Sequence, residues 1–412
     1  MKNQFLLSLT ANGGRVFLGF VFFWQVSQAL GLSTLGEYLY ISVAIGYFGT
    51  LVDYGFNLFV LNTAPRAPGA VRALLARVVL SKLILTGAAF FILAALYGVA
   101  FATQGALVTA LFFAVVILQS FSGLLVQFFK AMDRFDHEFT SIMLGSLMPV
   151  VILFVLQGNV TLVELGWVVL NVRLAVLLFQ LVVFFYISQG QGWKEVEDMA
   201  GRRLPRAVKD IQSNFKYAIF SILGAVFLSV DLVVMRFVLG PEDVAIYGTA
   251  MKVIMAVILF FEVLTGVFVP RLARLHSNGS TLLASNMKRF TLVMLAGALM
   301  VSAGLLSFGS LTILWVFGAE FAAAGQVLQA LSIVLVFRVM TTISGTFLTI
   351  HGQQSLRARI ISIVLPVHVG LNLVLQPQFG IWGAVTAITI SFLLWFGLNL
   401  LGFWRYRSLR AA

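Results

Sequence analysis

Long apolar runs broken by short charged interruptions repeat along the whole chain. A membrane helix needs roughly 20 apolar residues, and windows of that kind fall at 7–30, 36–60, 75–97, 106–129, 139–157, 163–187, 214–238, 245–269, 287–308, 323–349, 358–376 and 381–404. Each is predicted to be one span, which makes twelve. The interruptions alternate in charge. Lys2, then Arg66, Arg72 and Arg77, then Lys130 and Arg134, then Lys194 to Lys216, then Arg271 to Arg289, then Arg357 and Arg359, then Arg405 to Arg410 fall on one side. The other side has no Lys or Arg and carries Glu37, Glu164, Glu242, Asp243 and Glu320. Basic loops stay in the cytoplasm, so both termini and the 188–213 segment are predicted to be cytoplasmic. The alternation also requires an even number of spans.

Composition agrees with a lipid-embedded chain. Of 412 residues, 60% are hydrophobic and only 10% charged, against about a quarter in soluble proteins. No polar stretch is longer than the 188–213 segment, too short for an extramembrane catalytic domain. The net charge of +12 sits mostly in the basic loops, so it signals topology and not nucleic acid. Cysteine is absent, which excludes disulfides and thiolate ligands. His137, His276, His351 and His368 lack ligand spacing, and no metal site is expected. A phosphate-cradling glycine loop with a following lysine is missing, as is a nucleophile elbow. No enzyme is therefore predicted. Met1-Lys2 and the apolar run after it have the outline of a secretion signal. That run continues to about Leu30 without a small-x-small cleavage site, so it is read as the first span.

The chain repeats itself. Leu30-Gly31-Leu32-Ser33-Thr34-Leu35-Gly36-Glu37-Tyr38 aligns without gaps with Leu239-Gly240-Pro241-Glu242-Asp243-Val244-Ala245-Ile246-Tyr247, and the same offset sets Asp53 opposite Glu262. Two six-helix repeats are predicted: lobes 1–187 and 214–412, joined by a connector over 188–213. Six helices return the chain to its starting side, so the repeats share one orientation, and such halves enclose a central cavity. The connector, mixed in charge and holding Pro205, reads as a solvated tether.

Six cations fall within the spans, Arg15, Lys82, Arg173, Arg236, Lys252 and Arg338, but only three acids, Asp53, Asp231 and Glu262. A charge at the bilayer centre costs about 2.5 to 3.5 kcal/mol on insertion scales, so it faces a partner or a wet cavity. The excess of cations predicts a hydrated positive cavity for something anionic. Arg173 and Arg338 lie near mid-depth, and Arg15 has the polar neighbours Asn12, Gly13 and Gly14. Lys252 and Lys82 join them as candidates, with snorkelling or local pairing as the competing reading. Arg236, near Asp231, reads as structural. Asp53, Asp231 and Glu262 admit two roles: counter-charge to the arginines, or a site where H+ or Na+ couples transport to a gradient. Gly55, Gly123, Gly145, Gly224 and Gly383 are expected at close helix contacts. Pro149, Pro270 and Pro366 are expected at kinks or helix ends.

Leu30 to Tyr38, Asp53-Tyr54-Gly55, Leu239 to Tyr247, Pro270-Arg271-Leu272, Phe317-Gly318-Ala319-Glu320-Phe321 and Gly380-Ile381-Trp382-Gly383-Ala384 resemble the polysaccharide-transport branch of the multidrug/oligosaccharidyl-lipid/polysaccharide exporter superfamily. That branch includes the O-antigen flippases. The resemblance implies an all-α, two-lobed, MATE-like fold of twelve helices around a central cavity in the bacterial inner membrane. It implies a flippase moving an undecaprenyl-pyrophosphate-linked oligosaccharide to the periplasmic leaflet by alternating access, with ion coupling and no bound cofactor. Arg15, Arg173, Arg338, Lys252 and Lys82 would then meet the pyrophosphate. A monomer working beside a polymerase and glycosyltransferases, without nucleic acid, is the implied setting. The competing reading is an ion-coupled exporter of small molecules or drugs.

Overall fold

The computed structural model of the chain describes residues 2–66, 71–156, 160–188, 203–278 and 281–411. Those residues form fourteen α-helices and no strand. They are α1 Lys2–Ala29, α2 Leu32–Asp53, α3 Phe56–Thr63, α4 Val71–Leu96, α5 Ala106–Ala131, α6 Phe135–Leu156 and α7 Leu162–Ile187. They continue as α8 Arg203–Phe227, α9 Val230–Val238, α10 Pro241–Ser277, α11 Leu282–Phe317, α12 Ala322–Ile350, α13 Gln354–Phe379 and α14 Ile381–Ala411. Ten stretches of the described residues are long and apolar enough to cross a membrane, and α8 with α9 forms an eleventh, bent by 47°. The 28-residue α1 is long enough as well, but Ser8, Asn12, Arg15, Gln25 and Gln28 interrupt it. Phe91, Val99 and Trp315 stand 74%, 81% and 88% exposed among many other outward apolar side chains. Such a surface is compatible with lipid and not with water. The protein is an integral membrane protein.

Local chemistry sets the helix ends. Thr161 and Glu164 cap α7 reciprocally, with Thr161 N–H donating to Glu164 Oε2 at 2.8 Å and Glu164 N–H to Thr161 Oγ1 at 3.3 Å. Pro241 opens α10, where its missing N–H costs nothing. With 37 residues α10 is about 55 Å long, so it runs well beyond the predicted 245–269 span and carries Arg271 and Arg274 on helix. Two predicted spans are broken. The second stops at Asp53, turns through Tyr54 (φ 45°) and Gly55 (φ 77°), and restarts as α3. The seventh breaks before Ser229, where Asp231 accepts the Leu232 N–H at 2.9 Å and so satisfies one of the amides that the break leaves open.

The chain divides into two compact units: Met1–Gly31 with Ile41–Ala225, and Leu32–Tyr40 with Val226–Ala412. In the first, α5 packs on α6 and α7, and α1 lies along α6. In the second, α12 contacts α10, α11 and α14. These two are the best buried of the apolar stretches, at 50% for α5 and 56% for the stretch containing α12. The opening of α2 joins the second unit through close contacts. Glu37 is held by Arg236, Tyr40 meets Phe237 edge-on at 5.8 Å, and Gly36 passes so near Pro241 that a Cβ would overlap its carbonyl. The two segments that align in sequence therefore touch in space.

The connector departs from a free tether. Residues 189–202, including Trp193 and Lys194, lie outside the described residues. From Arg203 onward the chain is helical, Ala207 is fully buried, and its carbonyl accepts from Ser81 Oγ at 3.3 Å. Arg77 Nε sits 2.6 Å from Asp210 Oδ2. Burial pushes the Asp210 carboxyl upward and the Arg77 charge pulls it back down. Glycine roles also divide. Gly383 passes against the Leu375 carbonyl and Gly55 against Tyr217, as close packing requires, whereas a Cβ on Gly123 or Gly224 would meet nothing within 4 Å. Those two are not packing glycines. Pro149, Pro270 and Pro366 all lie inside helices.

Candidate functional site

The first unit encloses a cavity of about 570 Å³ between α1, α2, α5, α6 and α7. Its wall carries three cations, Arg15, Lys130 and Arg173, and one carboxylate, Asp53. The rest is largely amide and hydroxyl: Asn12, Asn57, Gln119, Gln127, Gln180 and several serines. Helix register explains the grouping. Ser8 Oγ donates to Glu138 Oε1 at 3.0 Å and Gly14 packs on Met143, so α1 and α6 run side by side in register, with an offset of about 130 residues. Gly145 lies under Arg173, whose Nη1 donates to its carbonyl at 3.3 Å. Arg15 and Arg173 thus reach the cavity at the same level, from α1 and α7.

Asp53 ends α2, where the helix dipole disfavours an anion. Two contacts offset this. Lys82 Nζ lies 2.8 Å from Asp53 Oδ1 and donates to the Ser120 carbonyl at 2.8 Å, and Ser120 Oγ donates to the same carboxylate oxygen at 2.6 Å. Lys82 is fully buried behind this carboxylate and does not reach the cavity. Its place is that of a counter-charge. Lys130 is the cation that sequence reasoning assigned to a loop. It lines the cavity near the end of α5, and its Nζ is 3.0 Å from the buried Glu138.

The remaining candidates belong to the second unit. Arg338 on α12 is 3.6 Å from Glu262 on α10, donates to Thr342 Oγ1 at 3.2 Å, and lies 5.7 Å over the Phe392 ring. Asp53 and Glu262, which align in the sequence, each take a basic partner inside their own unit. Lys252 is an exposed residue of α10. Arg236 was expected beside Asp231, but its guanidinium binds Glu37 through two bonds, Nη2–Oε1 at 2.6 Å and Nε–Oε2 at 3.0 Å. The fork geometry of arginine favours that paired contact. Asp231 is fully buried and accepts instead from Tyr247 Oη and the Leu232 N–H. Gln376 Nε2 donates to the Asp231 carbonyl at 3.1 Å and to Asn372 Oδ1 at 2.6 Å, and Asn372 donates to the His368 carbonyl at 2.8 Å. A His368 ring nitrogen lies 2.9 Å from Ser391 Oγ. Of this buried ladder only Asp231 was a site candidate from sequence, and His368 was set aside for want of ligand spacing. The i, i+4, i+8 spacing of His368, Asn372 and Gln376 on one span was the available signal.

Solved transporter structures, one of them described as from the multidrug/oligosaccharidyl-lipid/polysaccharide exporter superfamily, share the fold of this helical membrane protein. The fold is similar to a structure described as the inward-facing conformation of a multidrug resistance MATE family transporter of that superfamily (TM-score 0.76, 16% identity, 97% of this chain and 96% of the other). It is also similar to the lipid II flippase MurJ in an inward closed conformation (TM-score 0.73, 12% identity, 97% and 87%). The chain belongs to the polysaccharide biosynthesis protein family, whose pattern matches residues 1–276. It is similar over 395 residues, at 19% identity, to the "Putative O-antigen transporter" of Shigella dysenteriae, covering 95% of this chain and 97% of that one. A 24% identical match over 221 residues to the "Probable low-salt glycan biosynthesis flippase Agl15" of Haloferax volcanii covers 52% of this chain and 46% of the relative's length.

Proposed function

We propose that the protein is a flippase that carries an undecaprenyl-pyrophosphate-linked oligosaccharide from the cytoplasmic to the periplasmic leaflet of the inner membrane by alternating access. The observation that carries this reading is the cavity of the first unit, with Arg15 and Arg173 on its wall beside Lys130, which pairs with Glu138, and with the wall's one carboxylate, Asp53, engaged by Lys82. A pyrophosphate diester brings two negative charges, and hydrogen bonds between guanidinium and phosphate oxygens are of the strong, charge-assisted kind. Arg15 and Arg173, at one level on two helices, are the residues to hold it. The relatives' names point the same way. The positive lining disfavours the alternative cargo, a cationic drug. Binding moves the protein only as far as it favours one state over the other.

Twelve spans in two six-helix repeats, lobes 1–187 and 214–412 with the connector 188–213, and cytoplasmic termini belong to the same reading. Adding α1 to the ten clear spans and the bent α8–α9 span gives that number. The flippase would act as a monomer, carry out no covalent chemistry, and hand its cargo to a polymerase after glycosyltransferases have built it. In the test, Arg15→Gln and Arg173→Gln are introduced together and surface glycan is measured at matched protein level. At least a tenfold fall, with lipid-linked oligosaccharide accumulating on the cytoplasmic leaflet, is expected. Unchanged export would overturn the reading.

A further inference from the structure

One part of the cavity wall is not explained by anion binding. Gln180 on α7 is fully buried, yet neither its Oε1 nor its Nε2 has a hydrogen-bond partner among the described residues. Ser141 on α6 is 2% exposed and its Oγ is likewise bare. Both line the cavity. A buried polar group left unbonded costs about 1–3 kcal/mol, and buried polar groups in proteins are almost always satisfied. A primary amide with both ends open is therefore completed by something that enters from the cavity.

The register described above places this amide. Gln180 follows Arg173 by two helical turns on one face of α7, through Val176, and all three line the cavity. The α1–α6 offset puts Asn12 beside Ser141, one turn before Arg15 and Gly145. The wall is thus layered: a guanidinium layer of Arg15 and Arg173, then a second, amide and hydroxyl layer that begins with Asn12 and Ser141 about 5 Å along the helices and ends with Gln180 about 10 Å along α7. The chemistry of the second layer is selective. An anion would use Nε2 and leave Oε1 open, and a cation would do the reverse. A pair of adjacent hydroxyls uses both, one donating to Oε1 and the other accepting from Nε2.

We propose that Gln180, with Ser141 and Asn12 between its level and that of the arginines, is a sugar-binding subsite that grips neighbouring hydroxyls of the pyranose attached to the pyrophosphate. It reads the configuration of that first sugar. The inference rests on the flippase reading and names the part of the cargo that the second layer recognises. Gln180 is a specificity-determining residue in this arrangement, and the arginines supply affinity that is indifferent to the sugar.

The test uses the purified full chain and two probes, a short-chain prenyl pyrophosphate and the same lipid bearing one hexose. In the wild type the hexose is expected to improve Kd about tenfold, as two neutral hydrogen bonds would. Gln180→Met, close in volume but unable to hydrogen-bond in this way, should abolish that increment and leave the Kd of the bare lipid unchanged. Arg173→Gln should weaken both probes in parallel. Ser141→Ala, a smaller change to the same layer, should lower the hexose increment only, which keeps the test open if Gln180→Met does not fold. A hexose that adds nothing in the wild type, or an increment that survives both Gln180→Met and Ser141→Ala, overturns the subsite while the flippase reading stands. Failure of the wild type to bind either lipid overturns the flippase reading and the subsite with it.

Discussion

At the residue scale, the in-membrane cations divide by place. Lys82, Arg236 and Arg338 each lie within salt-bridge distance of a carboxylate, whereas Arg15 and Arg173 line a cavity. The sequence treated Lys82 and Arg173 as members of one set because depth and charge were all it offered. The difference arises from Asp53, which the helix break aims at Lys82. Removing one member of a buried pair strands the other charge, at about 3–5 kcal/mol for full burial. Asp53 retains 36% exposure, so solvent relieves part of that cost. Lys82→Met is expected to destabilise the protein by about 2–3 kcal/mol, and Lys82→Met with Asp53→Leu by clearly less. Thermal unfolding in detergent for both singles and the double gives the coupling. Additive losses would show that the pair is incidental.

At the element scale, broken helices place the chemistry. The Tyr54-Gly55 turn ends α2 at Asp53 and is wedged against α8, with the Gly55 Cα facing the Tyr217 backbone and Cβ. A side chain at residue 55 meets both a positive φ of 77° and that contact. Gly55→Ala is expected to cost about 1–3 kcal/mol and to shift Asp53 away from Lys82 and Ser120. Transport should fall in parallel at normal insertion. A variant as stable and active as the wild type would show that the break tolerates a side chain. The motif Asp53-Tyr54-Gly55 is legible in the sequence, but inside one apolar run that predicts an unbroken span. Its contact with α8 is not legible there, because Tyr217 lies more than 150 residues downstream. The same limit hid the docking of the 203–214 stretch on α4, where Ala207 and Asp210 are held by Ser81 and Arg77.

At the scale of the whole molecule, the two units differ in chemistry although short segments of their sequences align. The first has the cationic cavity. The second has the buried ladder from Asp231 through Gln376, Asn372 and His368 to Ser391, with no basic side chain bonded to the Asp231 carboxylate among the described residues. An acid held by hydroxyl and amide groups alone is suited to exchange a proton or Na+, so we propose Asp231 as the site of any ion coupling, with Asp53 and Glu262 as local counter-charges. Asp231→Asn is expected to abolish the dependence of flipping on an imposed H+ or Na+ gradient in proteoliposomes and to leave cargo binding intact. Gradient-driven flipping that persists in this variant would remove Asp231 from the coupling step.

The chain's hydropathy and charge periodicity by themselves determined that it is a helical membrane protein, and that cations exceed acids within its apolar runs. These are local properties: a run of apolar residues in lipid must satisfy its own backbone as a helix wherever it goes, and charge alternation is written along one dimension. Which cation meets an acid, that Lys130 and Gln180 face the cavity, and that Arg236 chooses Glu37 over Asp231 were decided by tertiary structure alone. Those outcomes depend on the rotation and register of helices far apart in sequence. A shift of one residue turns a helical side chain by about 100°, and no pattern within a single span specifies that angle relative to a neighbour.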